Sequence, residues 1–555
     1  MKSHAYSSSD NPYPQRYVTA RRIRNPQSAI RNGDVMYVRD WMARRAVLSP
    51  DKAAIIDATT EATFTYRQLN ERATRLANYL RESCGVVSGD RIAVLAMNRT
   101  ETLEALFAAA KLTAILVPLN YRLTQPELEY IIEDCEPKAL LYEAGFANLA
   151  GRLRGQLHRK IGTPYHLSFD SSAADPDYET ALEQSHATPV EPVEEDDFDA
   201  EMTLLIIYTS GTTGRPKGAM LSHRMLMWNS INTHLALDIV SSDVTTVHAP
   251  MFHTGGLNVL TTPLLHIGGT VVMMRGFDAA AWLEAIERYR CTVVFGVPTM
   301  FQMMIEAPGA TAADLSSLRL CITGGAPCPV PLIEAFQKRG VVFTQGFGMT
   351  EVGPNCFKLA IEDSVRKAGS IGFPNFHTEA RIVDERGHDV ARGEAGELIL
   401  KGLHVCSGYW RKSEQGAAAM RDGWFFSGDL ARQDEEGYFY IVGRVKDMII
   451  SGGENIYPAE VEATLHSHPA IASAAVFGLP DPKWGERAVA AVVKRPGAEV
   501  TAEEVIAFCQ EKLARYKIPK RVFFFTEFPL SGSGKVAKLL LREEIERQLL
   551  ATPKN

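Results

Sequence analysis

The sequence predicts an α/β protein: a large multi-layer body of β-sheets flanked by helices over residues 34–445, then a small α+β C-terminal domain over residues 446–555. Three observations carry that prediction. The chain has 555 residues, far beyond the roughly 100–200 of one ordinary domain. Through most of its length, apolar runs of strand length alternate with segments of helical periodicity, the rhythm of parallel α/β sheets. Beyond Tyr440 the texture shifts to short elements.

Taken in order, residues 1–33 are rich in Ser, Pro, Asn and Arg with Asp10 as the one acid, and read as a disordered or loosely attached arm. An Arg- and Ser-rich start also suits a transit peptide, but Pro12, Pro14 and Pro26 break the amphipathic helix such a peptide needs. Leu69, Ala73, Leu76 and Leu80 recur at helical spacing; a turn at Ser88-Gly89-Asp90 then leads to a strand over 91–97, a helix over 101–111 and a strand over 114–119. The rhythm returns with a strand over 270–274, a helix over 279–289 and a strand over 292–295. An acidic connector, 191–199, precedes the apolar strand 202–208. The C-terminal domain holds strands over 472–478 and 522–525 and helices over 503–513 and 538–550.

Composition excludes several functions. Fifty-nine basic against 66 acidic side chains give a net charge of −7, with no polybasic signature of a nucleic-acid binder. The eight cysteines are scattered without CxxC spacing, so neither a zinc site nor a secreted disulfide framework is indicated, and a reducing cytoplasm fits. No run approaches the eighteen or so apolar residues of a transmembrane helix. A peripheral membrane contact and a homodimer stay open.

The strongest chemical signal is YTSGTTGRPKG at 208–218, where an apolar strand enters a loop built to cradle phosphate. Gly211 and Gly214 let backbone N–H groups approach oxygens, the hydroxyls of Thr209, Ser210, Thr212 and Thr213 add donors, and Lys217 adds charge. The spacing is not GxxxxGK[ST], so this is not a Walker loop. Further along stand PMFHTGG at 250–256, GGAP at 324–327, QGFGMTE at 345–351, SGD at 427–429, GRVKD at 443–447 and SGSGK at 531–535.

In that order these motifs resemble the acyl-adenylate-forming superfamily, which includes acyl-CoA ligases, 4-coumarate:CoA ligases, luciferases and peptide-synthetase adenylation domains. The resemblance spans residues 35–545, and the stretches IISGGENIYPAEV (449–461) and LARYKIPK (513–520) tilt it towards fatty and aromatic acyl-CoA ligases. It implies ATP, Mg²⁺ and coenzyme A as cofactors, a small carboxylic acid as substrate, and a mobile C-terminal domain. Phe347 offers a face for adenine, Thr350 a donor for the α-phosphate and Glu351 an oxygen ligand for Mg²⁺, on a loop with Gln345, Gly346, Gly348 and Met349. Gly324, Gly325, Ala326 and Pro327 would wall the adenine, and Asp429 and Arg444 would reach the ribose. Read alone, SGD is equally an ordinary turn.

His253 reads either as a satisfied core histidine or, by the resemblance, as a neighbour of the acyl carboxylate and the thiol path. Lys535 takes the adenylation position; Ser531 replaces the Thr that many relatives carry there and keeps the hydroxyl. Lys446 sits at the hinge position, where a solvated side chain loses no core contact when the backbone turns. For coenzyme A, Trp484 and Tyr516 supply candidate adenine faces, Lys517 a charge, and Gly452 and Gly453 an open backbone edge, although Trp484 could equally pack under Pro480 and Pro482. The acyl pocket is expected from Leu257, Val259, Met300 and Met303, which are apolar without a charged partner. That favours a fatty or aryl acid over an amino acid; the expected substrate is a fatty acid of medium or long chain, with an aromatic acid, loading of a carrier protein, or a nucleotide-binding scaffold as alternatives.

Overall fold

The computed structural model describes residues 38–160, 165–170, 175–190, 198–209, 215–326, 328–451, 454–530 and 536–551. The arm expected over 1–33 and most of the acidic connector lie outside them. The described residues form five β-sheets with helices on their faces.

A six-stranded sheet runs in the order Tyr165–Ser168, Ala139–Tyr142, Arg91–Leu95, Ile115–Pro118, Thr203–Thr209 and Lys217–Ser222. Its first five strands are parallel, and the last turns back antiparallel. Ile115–Pro118 and Ala139–Tyr142 are buried along their whole length, as strands covered on both faces must be. One cover is the pair of helices Tyr66–Glu82 and Thr100–Leu112. The first starts with a capping box between Thr65 and Gln68, which satisfies two N-terminal donors that would otherwise lack partners. A second, smaller sheet pairs Ala53–Asp57 in parallel with Thr270–Met273, so the chain start is bound to its middle.

The third sheet carries the parallel strands Val293–Gly296, Leu320–Thr323 and Phe343–Met349, then reverses into Gly353–Lys358. The reversal is tight: Gly353 has φ +78°, and a Cβ on Gly348 would stand 2.3 Å from the Gly353 carbonyl oxygen. A fourth, antiparallel sheet contains Gly396–Lys401, Trp424–Gln433 and Phe439–Arg444. Ser427-Gly428-Asp429 lies inside its Trp424–Gln433 strand rather than in a turn: the register shifts against Gly396–Lys401 and Gly428 takes φ +71°, forming a bulge.

The C-terminal sheet joins Ile449–Ser451, Gly485–Lys494, Ile471–Asp481 and Val522–Phe525 around its own buried clusters, which include Ile449, Val476, Val492 and Leu541. The expected elements of this domain are all present with ends moved by a few residues, as the helices Ala502–Gln510 and Lys538–Ala551 illustrate. No helix among the described residues is long and apolar enough to cross a membrane. All eight cysteines are free and buried.

Candidate active site

The phosphate loop is held by the antiparallel pair Thr203–Thr209 and Lys217–Ser222, with Thr209 opposite Lys217. Ser210, Gly211, Thr212, Thr213 and Gly214 lie outside the described residues. The returning strand has a second neighbour. The N–H of Met220 donates to the Gly408 carbonyl, that of Ser407 to the Met220 carbonyl and that of Trp410 to the Gly218 carbonyl. Gly218 is needed there, since a Cβ would meet Ile206 at 2.6 Å and Trp410 at 3.4 Å. The Cys406 N–H donates to the Glu351 carbonyl at 2.7 Å. Residues 406–410 therefore strap the phosphate-loop hairpin to the turn Thr350–Val352.

That strap brings two predicted residues together around a third. The Tyr409 hydroxyl donates to Glu351 Oε1 at 3.0 Å, and Lys217 Nζ stands 5.3 Å from the Tyr409 ring centre. Thr350 is buried beside them, and Phe347 is half-buried, edge-on to Phe357. The Gln345 side chain has a bracing role: its Oε1 accepts from the Cys328 N–H at 2.9 Å and its Nε2 donates to the Ser370 carbonyl at 3.3 Å.

His253 caps the helix Thr254–Asn258, its Nδ1 accepting from the Gly255 N–H at 3.0 Å, which leaves a proton for Nε2 in the neutral ring. Beside it stands the half-buried Phe295. A Cβ on Gly255 would lie 3.5 Å from Phe295 Cε1, and one on Gly324 would lie 3.7 Å from its Cε2 and 3.2 Å from the Gly346 carbonyl. The ring thus stands between the His253 turn and the Gly324–Gly325–Ala326 loop, with Gly346 of the Phe343–Met349 strand behind; Pro327 is outside the described residues.

Asp429 is nearly buried and faces Arg444 across adjacent strands, and the two form an ion pair of 2.9 Å although the Arg444 side chain is 52% exposed. Lys446 follows in the exposed turn Val445–Asp447. In the C-terminal domain Trp484 is 48% exposed, with Lys483 Nζ 4.8 Å from its ring, so it is not packed away under the flanking prolines. The register Ser451↔Gly485 puts it next to the end of the Ile449–Ser451 strand, whose following glycines, Gly452 and Gly453, are outside the described residues, as is Lys535. Tyr516 is exposed beside Lys517, but the Lys517 ammonium is paired with both Glu460 carboxylate oxygens at 2.7 Å.

The four expected acyl-pocket residues are not brought together. Leu257 and Val259 belong to the main core cluster, Met300 packs against a different one, and Met303 is 52% exposed. In the nine-residue helix Pro298–Glu306, Phe301 and Met304 take the core positions, leaving Met300 half-buried and Met303 turned towards solvent. The sequence reading also missed Tyr409 and Phe295. Both partners of Tyr409 are distant in the chain, and the one local sign was an aromatic pair, Tyr409-Trp410, inside a polar connection.

The residues present fit ATP and Mg²⁺. Tyr409 brings the Lys217 cation and the Glu351 carboxylate together, the pair of charges that a phosphate and its metal would need. Among the described residues no group of three His, Cys, Asp or Glu gathers to cage a metal. Mg²⁺ suits such a donor set, because it commonly takes one or two carboxylates and completes its shell with substrate phosphates and water.

A hairpin carrying Lys217 tied to the Glu351 carboxylate, with the buried Asp429 paired to Arg444, suits a nucleotide-dependent acid activator. Residues 42–410 match the family described as AMP-binding enzyme and residues 460–535 the AMP-binding enzyme C-terminal domain; the chain belongs to this family. It is 43% identical over 498 residues to a feruloyl-CoA synthase of an Amycolatopsis species, covering 90% of this chain and 97% of that relative. It is 41% identical over 515 residues to an indoleacetate–CoA ligase of Aromatoleum aromaticum, covering 92% and 99%. A solved fatty acyl CoA synthetase of Mycobacterium tuberculosis matches with a TM-score of 0.75 at 34% identity, covering 92% of this chain and 99% of that one. The protein is an AMP-forming acid–CoA ligase that works through an acyl-adenylate, with ATP, Mg²⁺ and coenzyme A.

Proposed function

We propose that the acid is aromatic, of the phenylpropenoate or aryl-acetate kind, in place of the fatty acid that an apolar pocket first suggested. The observation that carries this reading is the Phe295 ring standing between two glycines, Gly255 and Gly324, beside His253. Glycines at two edges of the ring keep side chains off it there, and an aromatic acid packed against it would gain about 0.5–1.5 kcal/mol beyond area burial. The relatives named for ferulate and indoleacetate support it.

In the first half-reaction one carboxylate oxygen attacks the α-phosphorus of ATP and pyrophosphate leaves. In the second the thiol of coenzyme A attacks the acyl carbonyl and AMP leaves. Mg²⁺ would supply charge neutralisation on the phosphates, and Glu351 would hold it. Lys217 and the hydroxyls of the Thr209–Gly214 loop grip the phosphates, Phe347 and the loop from Gly324 face the adenine, and Asp429 and Arg444 take the ribose. Lys535 offsets charge between carboxylate and α-phosphate. The domain beginning at Lys446 turns about that residue for the thiol step, presenting Trp484 and Tyr516 to coenzyme A. We place the protein in the cytoplasm, where its eight thiols stay reduced.

Coenzyme A-dependent AMP release over ferulate, cinnamate, benzoate, indoleacetate and fatty acids of graded length tests the substrate class. Ferulate-like acids are expected to lead kcat/KM. A kcat/KM that climbs along the fatty series by up to ~0.8 kcal/mol per methylene, past every aryl acid, would overturn the aromatic reading. Thioester formed on a phosphopantetheinylated carrier but not on free coenzyme A would overturn the acceptor.

A further inference from the structure

Tyr409 belongs to none of the motifs, yet it touches both charged residues that face the phosphates. Its hydroxyl donates to Glu351 Oε1 at 3.0 Å, its ring lies under Lys217 with Nζ 5.3 Å from the centre, and its backbone bridges to Ala219 on the Lys217–Ser222 strand. One residue before the strap's Ser407, the Cys406 N–H fixes the Glu351 carbonyl. At its far end the Trp410 indole N–H donates to the Asp134 carbonyl at 3.0 Å, and Tyr208 donates to the Asp134 carboxylate at 2.7 Å. The strap therefore has no freedom to slide.

A carboxylate that must offer one oxygen to a metal gains from having the other held. A phenol donor occupies Oε1 and fixes the plane of the group, as hydrogen bonds to ligating carboxylates do elsewhere. The ring beneath the Lys217 ammonium offers its negative face and keeps that cation on the phosphate side of the hairpin. We infer that Tyr409 is a positioning residue that aims Glu351 at the magnesium of Mg·ATP and, through its ring, holds Lys217 over the same phosphates. This inference rests on Glu351 being the metal's protein ligand.

The two halves of the side chain can be separated. Tyr409→Phe keeps the ring and removes the donor; Tyr409→Leu removes both; Glu351→Gln tests the underlying reading. Binding of a non-hydrolysable ATP analogue is measured by calorimetry with and without Mg²⁺, beside pyrophosphate release against Mg²⁺ concentration. Tyr409→Phe is expected to raise the Mg²⁺ concentration for half-saturation about 3–10-fold, the scale of one lost hydrogen bond, and to leave metal-free analogue affinity unchanged. Tyr409→Leu is expected to weaken metal-free affinity as well, since Lys217 loses its platform.

A Mg²⁺ requirement that moves in Glu351→Gln and not in Tyr409→Phe would overturn the inference while sparing the role of Glu351. A requirement unmoved in Glu351→Gln would remove that role and the inference with it. Equal loss of metal-free and metal-bound affinity in Tyr409→Phe, with thioester formation from supplied acyl-AMP also lost, would make Tyr409 a fold residue and overturn the inference too.

Discussion

At the scale of single residues, Asp429 and Arg444 form the pair proposed to take the ribose. The carboxylate is nearly buried and its guanidinium partner is half in water, so the pair is tethered from one side only. Asp429→Ala is expected to raise the KM for ATP about 10–100-fold, the range of losing hydrogen bonds to a charged group. Pyrophosphate exchange against ATP concentration checks it; a KM within twofold of wild type would detach Asp429 from the ribose. Lys217, Glu351 and Asp429 were legible in the sequence because each closes a dense local motif. Tyr409 was not, because its meaning lies in a contact to Glu351 that is 58 positions away. Phe295 was hidden for a related reason: its surroundings are two glycines, and nothing in a sequence says which aromatic ring a glycine will face.

At the scale of elements, the hairpin from Phe343–Met349 into Gly353–Lys358 decides where Phe347, Thr350 and Glu351 point. In Gly348→Ala the new Cβ would meet the Gly353 carbonyl oxygen and the Pro354 carbonyl carbon, both at 2.3 Å and both backbone. Neither can swing aside, so the hairpin must open. The expected cost is roughly 3 kcal/mol in denaturant unfolding, at the upper end for overpacking, with adenylation lost. Gly309→Ala supplies the contrast: φ is +83° but nothing lies within 4 Å, so about 1 kcal/mol and unchanged activity are expected. If both substitutions cost the same, backbone crowding is not what holds this turn. The strands and helices read from periodicity, such as Arg91–Leu95 and Thr100–Leu112, are present, while Gly396–Lys401 and Gly485–Lys494 gave no reading. Sheet membership was not: Ala53–Asp57 pairs with Thr270–Met273 across more than two hundred residues, and no local signal encodes that. The SGD tripeptide misleads in the opposite sense, since turn chemistry is also bulge chemistry.

For the molecule as a whole, two predictions concern motion and acid. Lys535→Ala is expected to slow acyl-adenylate formation roughly 10²–10³-fold, the scale of one aimed electrostatic group. Thioester formation from supplied acyl-AMP is expected to stay near wild type if the proposed rotation about Lys446 takes the lysine out of the second half-reaction. Single-turnover assays of each half decide, and equal damage to both would end the case for rotation about Lys446. Burial pushes His166 and His223 down to about 4 and His248 and His266 to about 3. Unfolded, they titrate near 6.5, so between pH 6.5 and 4 the unfolded chain binds protons that the native one refuses. Their stabilisation is complete above that window and falls within it by up to ~1.4 kcal/mol per pH unit for each histidine. Tm should drop steeply from pH 7 to pH 5, and an unchanged Tm would refute this.

The burial of all eight sulfurs has a chemical consequence as well. An acyl-adenylate is a mixed anhydride and will acylate any thiolate within reach, including one belonging to the enzyme that made it. Here Cys406, whose backbone N–H donates to the Glu351 carbonyl, is held up at about 12, Cys509 at about 11, and the other six at about 12 or beyond, all by burial. At neutral pH they are inert thiols. Coenzyme A then meets no internal competitor for the activated acid, and a preparation left with acid and ATP alone should show no acylated cysteine by mass spectrometry, however long the adenylate waits.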